Sequence, residues 1–190
     1  MTKKDTTIQK SPTKDRGVFV WYGENQSLLA LTLAQWREQF STKYPQAVLT
    51  RLEYDKAKES ELAQQLHQAV QGGGLFVSER LIILTNFLKA ETKGELAEEI
   101  KRLLDVLPTK VYLVFVEEAK VAWSKGLPAV IDKLIKSGQV TKREFNNLSA
   151  SELEQWIVGR AKVEGGNIPV SVARLLASLV GNDFWQLKQE

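Results

Sequence analysis

The chain has 190 residues, 43% of them hydrophobic and 26% charged, enough for one sizeable domain or for one domain and a small appendage. It has no cysteine, which excludes disulfides, thiolate metal sites and a cysteine nucleophile and fits a reducing, cytoplasmic setting. The formal net charge of +3 is carried by residues 1–16, where Lys3, Lys4, Lys10, Lys14 and Arg16 face only Asp5 and Asp15; the rest is balanced and gives no sign of a basic DNA-binding face.

Residues 1–16 are polar, contain Ser11-Pro12 and read as a disordered tail. No apolar run approaches the roughly 18 residues of a membrane span, and the first residues form no signal-type hydrophobic segment. Residues 17–23 are a continuous apolar run closed by Gly23, the pattern of a buried parallel strand. A helix follows, with Leu28, Leu29, Trp36 and Phe40 facing the core, and ends near Tyr44-Pro45. Residues 47–52 form a second strand. Over 58–71, Leu62, Leu66, Ala69 and Val70 recur at helical spacing.

Gly72, Gly73 and Gly74 stop that helix. Leu75 and Phe76 come next, followed by a polar break and a third strand at Leu81, Ile82, Ile83 and Leu84. Glycines let the backbone take unusual dihedrals, so the Leu-Phe pair sits on a tip. It is either tucked into its own core or offered to another protein.

Leu96, Ile100, Leu103, Leu104 and Leu107 mark the next helix, stopped by Pro108. Residues 111–116 are the most strand-like run. Leu127, Val130, Ile131, Leu134 and Ile135 give a further amphipathic helix, and 140–145 a polar-interleaved edge strand. Alternating strands and helices predict an α/β fold, a mainly parallel sheet with helices on both faces.

After Asn147 the pattern turns purely helical. Ser149 and Glu152 form a capping box for a helix carrying Leu153, Trp156, Ile157 and Ala161. Pro169 suits the first turn of a second helix with Val172, Leu175, Leu176, Leu179 and Val180. Asn182 or Asp183 caps a short third helix anchored by Phe184 and Leu187. The chain stops at Glu190 inside or just after that element, as a fragment does.

A phosphate-binding loop needs Gly, four residues, then Gly-Lys-Ser/Thr. Counted from Gly23, those last positions are Leu28, Leu29 and Ala30, and Glu24 would set a carboxylate where phosphate charge belongs. Asn86 ends the third strand where an NTPase wants an aspartate near Mg²⁺. Glu117 and Glu118 end the fourth and read as a solvated strand end. His67, the single histidine, reads as a surface or partly packed residue without a partner for catalysis. The five tryptophans are scattered; Trp36 and Trp156 fall on helical stripes and read as core. No catalytic residue, metal ligand or cofactor site emerges.

Several segments, in order, resemble the delta subunit of bacterial DNA polymerase III, a clamp-loader protein. They are the run from Val18 through Tyr22-Gly23-Glu24-Asn25; Leu75-Phe76 followed by Arg80-Leu81-Ile82-Ile83-Leu84; Leu153, Trp156 and Ile157; and Leu176 with Val180-Gly181-Asn182-Asp183 and Leu187. The resemblance implies a degenerate AAA+-like (P-loop NTPase-like) domain over 17–147 and a small three-helix lid domain over 148–190. It also implies a C-terminal collar domain, which this chain lacks and through which other loader subunits assemble. It implies a subunit that binds and opens the sliding clamp during DNA replication without hydrolysing ATP. Such a subunit is not itself catalytic but is part of the DNA-directed DNA polymerase (nucleotidyltransferase) holoenzyme, in the cytoplasm, and meets DNA only within the full complex. Leu75 and Phe76 are then the clamp-gripping pair. The Gly72-Gly73-Gly74 run is richer in glycine than the family pattern. The alternative left open by the residues is a nucleotide-dependent α/β transferase or hydrolase with an atypical phosphate site.

Overall fold

The computed structural model describes residues 17–71, 78–88 and 92–189. Five strands form one sheet: β1 (Gly17–Tyr22), β2 (Val48–Glu53), β3 (Arg80–Thr85), β4 (Val111–Glu117) and β5 (Val140–Glu144). Their order is β2-β3-β4-β1-β5, and every pairing is parallel. The α/β sheet expected from the alternation is therefore present. β3 and β4 are buried along their whole length, which is why they read as unbroken apolar runs. β2 and β5 are the edges and carry the polar residues.

The helices of this part are α1 (Gln26–Lys43), α2 (Glu59–Gln71, entered through a 3₁₀ turn at Lys56–Lys58), α3 (Gly94–Asp105) and α4 (Gly126–Lys136). Side chains alternate across a strand, so Val18, Val20 and Tyr22 face one way and Phe19 and Trp21 the other. The first set packs with Leu62 and Leu66 of α2, Leu96 and Ile100 of α3, and Leu127 and Ile131 of α4. The second packs with Leu29, Trp36 and Phe40 of α1, joined by Tyr112 and Phe145.

Three further helices follow: α5 (Ala150–Val163), α6 (Val170–Val180) and α7 (Phe184–Gln189). The expected capping box is formed. Ser149 Oγ accepts from Glu152 N, and Glu152 Oε2 accepts from Ser149 N at 2.9 Å. Pro169 is the N-cap of α6, one position before the first turn, with its ring-fixed φ of −61°. Asp183 caps α7 by accepting from Trp185 N and Gln186 N.

Leu153, Ile157, Ala173 and Phe184 make a third core around Leu31 of α1. Helix α1 is therefore apolar on two sides. Leu29, Trp36 and Phe40 meet the sheet, while Leu31 meets the C-terminal helices. Leu31 was not among the core residues expected from a single stripe. A helix buried on two faces does not show one.

Candidate functional site

In open parallel sheets a ligand crevice forms outside the carboxyl ends of two neighbouring strands whose connections leave to opposite faces. Here β1 runs into α1 on one face and β4 runs towards α4 on the other. The crevice position therefore lies between the ends of β1 and β4.

At the end of β1 the chain's own polar groups meet around an open surface depression of about 450 Å³ lined by Glu24, Asn25, Ser27 and Asn182. Gly23, at φ +146°, brings the β1 end against the Phe145 backbone. Phe145 N donates to Tyr22 O at 2.7 Å, and Asn25 N to Phe145 O at 2.8 Å. A side chain at position 23 would collide with that backbone. Asn25 is buried and caps α1, its Oδ1 accepting from Leu28 N at 2.9 Å. Its Nδ2 donates to Asn182 Oδ1 at 3.2 Å.

Asn182 sits in the turn between α6 and α7. Its Oδ1 also accepts from Leu148 N at 2.8 Å, and its Nδ2 donates to Leu148 O at 3.1 Å. Ser27 accepts from Phe184 N at 3.1 Å. Its one proton has two acceptors in reach, Asn182 O at 2.9 Å and Asn25 Oδ1 at 3.1 Å, and the shorter is favoured. Helix N-termini are ordinary phosphate sites because their N–H groups are free. At α1 the Leu28 N–H is taken by Asn25 Oδ1, and the α6–α7 turn is hydrogen-bonded to the Asn25 and Ser27 side chains beside it.

The charged and amide groups at the neighbouring strand ends are paired within the chain. Glu24 Oε1 pairs with Lys120 Nζ at 2.7 Å, and that hydrogen-bonded ammonium holds the Glu24 carboxyl below its ordinary value. Asn86, in the left-handed conformation at φ 64°, donates from Nδ2 to Glu118 Oε2 at 3.0 Å. Glu117 corrects the expectation of a solvated strand end. It is 3% exposed, and its Oε1 accepts from Leu88 N at 2.8 Å, so a carboxylate serves as an internal cap. Only Glu118 of the pair is exposed.

His67 has partners that its sequence neighbourhood did not reveal. Its Nδ1 lies 3.0 Å from Glu99 Oε1 and 3.1 Å from Arg102 Nη2, across α2 and α3. That nitrogen donates to Glu99 when protonated and accepts from Arg102 when not; it cannot do both. No group of three His, Cys, Asp or Glu side chains arranged for a metal occurs among the described residues. Trp21 and Trp36 are buried core, Trp156 is half-buried, and Trp185 is 45% exposed.

Leu75 and Phe76 lie outside the described residues. The two sides of their segment are described. Arg80, first residue of β3, is only 7% exposed, and its Nη1 donates to Val70 O in the last turn of α2. Its backbone N donates to Lys110 O at 2.8 Å, and Glu79 O accepts from Val48 N at 2.9 Å. The guanidinium thus ties the end of α2 to the start of β3. Arg80 stood in the resemblance as part of a motif, with no role attached. Asn182 stood there as a cap or signature residue. Nothing in the spacing links position 182 to position 25, and that contact was missed.

No family model matches the chain. The probable DNA polymerase III subunit delta of Aquifex aeolicus is 27% identical over 187 residues. A solved structure of the Bacillus subtilis DNA clamp loader delta protein superposes with a TM-score of 0.62 over 90% of this chain at 23% identity, a likeness of fold. The Aeropyrum pernix ORC2 protein aligns over 77% of this chain and 46% of its own, at 16% identity and a TM-score of 0.45. The chain spans about half the length of the delta relatives, 51% of the curated one and 50% of the solved one. Across 97% of its length, this chain is thus similar to a protein carrying the name of the family that its own residues resemble, DNA polymerase III subunit delta.

Proposed function

We propose that this chain is the clamp-binding part of a delta-type clamp-loader subunit. Residues 17–147 form an AAA+-like mount and 148–190 a helical lid. Leu75 and Phe76 enter an apolar pocket on the ring-shaped sliding clamp and help open the ring for loading onto DNA. The chain works without hydrolysing ATP, as a non-catalytic component of the DNA polymerase III holoenzyme. Other loader subunits join through the family's collar domain, DNA is met within the assembled complex, and the work is done in the cytoplasm. No helix among the described residues is long and apolar enough to cross a membrane.

The observation that carries this reading is the similarity to a probable delta subunit over 97% of the chain. The geometry after β1 supports it, since Asn25 Oδ1 takes the Leu28 N–H and Glu24 O the Gln26 N–H, groups that a nucleotide enzyme would need free. Binding energy in protein interfaces concentrates in a few large anchors, and the Leu-Phe pair has that character.

The test is binding of the 190-residue chain to its cognate clamp by calorimetry, repeated with Leu75→Ala and Phe76→Ala together. Loss of both anchors is expected to cost roughly 2–4 kcal/mol, about 30- to 1,000-fold in Kd. Undiminished binding by the double variant would remove the two residues from the interface. A second measurement addresses ATP. A ligand present at about 100 times its Kd adds about 2.7 kcal/mol of stability, so a raised melting temperature with ATP and Mg²⁺ would restore the enzyme reading.

A further inference from the structure

We propose that the cleft between α1, β5 and α5 binds a phosphate-bearing nucleotide unit, either a free mononucleotide or one residue of a single DNA strand. The cleft is separate from the Leu75-Phe76 segment and from the crevice at the end of β1, and the inference does not depend on clamp binding. Its volume is about 460 Å³, within the range of small-molecule sites. Leu28 and Leu31 of α1 supply an apolar wall, Arg143 projects from β5, and Trp156, Gly159 and Arg160 come from α5.

The charge is one-sided: none of the residues lining the cleft is acidic. Arg143 is half-buried, with its guanidinium 4.6 Å from the centre of the Phe145 ring and no ion pair among the described residues. Burial pushes that guanidinium below its ordinary value, as desolvation without a counter-charge does. Arg160 gives one amino group to Glu164, while its Nε–H is buried with no acceptor. Arginine forks suit phosphate in particular, and an aromatic ring beside them suits a base.

Gly159 is the independent sign that this space is kept open. Glycine inside a helix is unfavourable relative to alanine. Here an added Cβ would meet nothing within 4 Å. The position therefore carries no packing reason for glycine on its own side of the helix, and it keeps that wall of the cleft clear.

The test is an NMR titration of the 190-residue chain with dAMP and, separately, with a 5′-phosphorylated thymidine oligonucleotide. Saturable shifts are expected at the Trp156 indole N–H and the Gly159 amide. Arg143→Gln and Gly159→Leu should each weaken binding by about tenfold or more while leaving the melting temperature near that of the parent. Should Arg143→Gln fail to fold, Gly159→Leu decides, because its side chain enters open space. Tighter binding of dAMP identifies a free nucleotide as the source, and tighter binding of the oligonucleotide identifies a strand. The proposal is overturned by no saturable shift with either probe, by unchanged affinity in Gly159→Leu, or by shifts confined to the Gly23 and Asn25 amides. Acetate binding in the cleft as tightly as the phosphate probes would overturn the phosphate assignment.

Discussion

At the carboxyl end of β1, three residues from two distant parts of the chain, Asn25, Ser27 and Asn182, hydrogen-bond with one another, next to Gly23 packed on the Phe145 backbone. At the amino end of β3, a single side chain, Arg80, fastens α2 to the strand. Both are loop–element junctions of the same sheet. In the first, internal partners take the helix-cap donors that a ligand would use, so the junction works as a joint between the sheet and the C-terminal helices. In the second, the fastening joins Val70 and Arg80, on the two sides of residues 72–77 in the chain. A joint of many short hydrogen bonds should tolerate substitution poorly. A single tie should tolerate it better.

The sharpest way to break the joint is Gly23→Ala. The residue sits at φ +146°, and an added Cβ would overlap the Phe145 backbone. Strained dihedrals cost about 1–3 kcal/mol and overpacking a similar amount. A loss of about 3–5 kcal/mol in denaturant unfolding is expected, and a loss under about 1 kcal/mol would show that the two backbones can separate cheaply. Asn182→Ala removes the partners of Leu148 N–H and C=O together with the Asn25 contact. About 2 kcal/mol is expected. Amide exchange should quicken first at Leu148 and Phe184 and hardly at all in β3 and β4. Uniform quickening throughout the sheet would mean that the joint is not a local unit.

Arg80→Met tests the single tie. Val70 O loses a charged donor, but a buried guanidinium whose Nε has no acceptor is also removed. The two effects offset, and about 1–2 kcal/mol is expected. That is less than at Asn182, although Arg80 is the more buried of the two. A larger loss than for Asn182→Ala would reverse the comparison.

The sheet was readable because β3 and β4 are buried on both sides and so are apolar without interruption. The capping box at Ser149 and Glu152 was readable because it is local. The double burial of α1 was not, since Leu31 meets residues more than 120 positions away in the chain. Glu117 was misread for a related reason. A carboxylate at a strand end is ordinarily solvated, and only the fold shows Leu88 N–H placed to receive it. The Leu75-Phe76 pair stood out because three glycines precede it, a signal of composition, whereas the role of Arg80 needed the neighbouring helix end in view.

The smallest effect concerns the outer surface of α2, the helix that leads to the tied segment. Glu99 of α3 accepts from Arg102 at 2.7 Å and lies 3.0 Å from His67 on α2. The hydrogen bond from Arg102 and, after it, the one from His67 hold the Glu99 carboxyl below the ordinary glutamate range. A carboxyl depressed in the folded state contributes stability above its unfolded pKa, about 4.3. It loses that contribution as pH falls through the lower folded value. Partial exposure of Arg102 and His67 limits the gain to a few tenths of a kcal/mol, up to about 1. Glu99→Gln should therefore lower stability slightly at pH 7 and converge with the parent as the pH falls from about 4.3 through the depressed folded value. Parallel pH profiles for parent and variant would show that α2 is held to α3 by apolar packing alone.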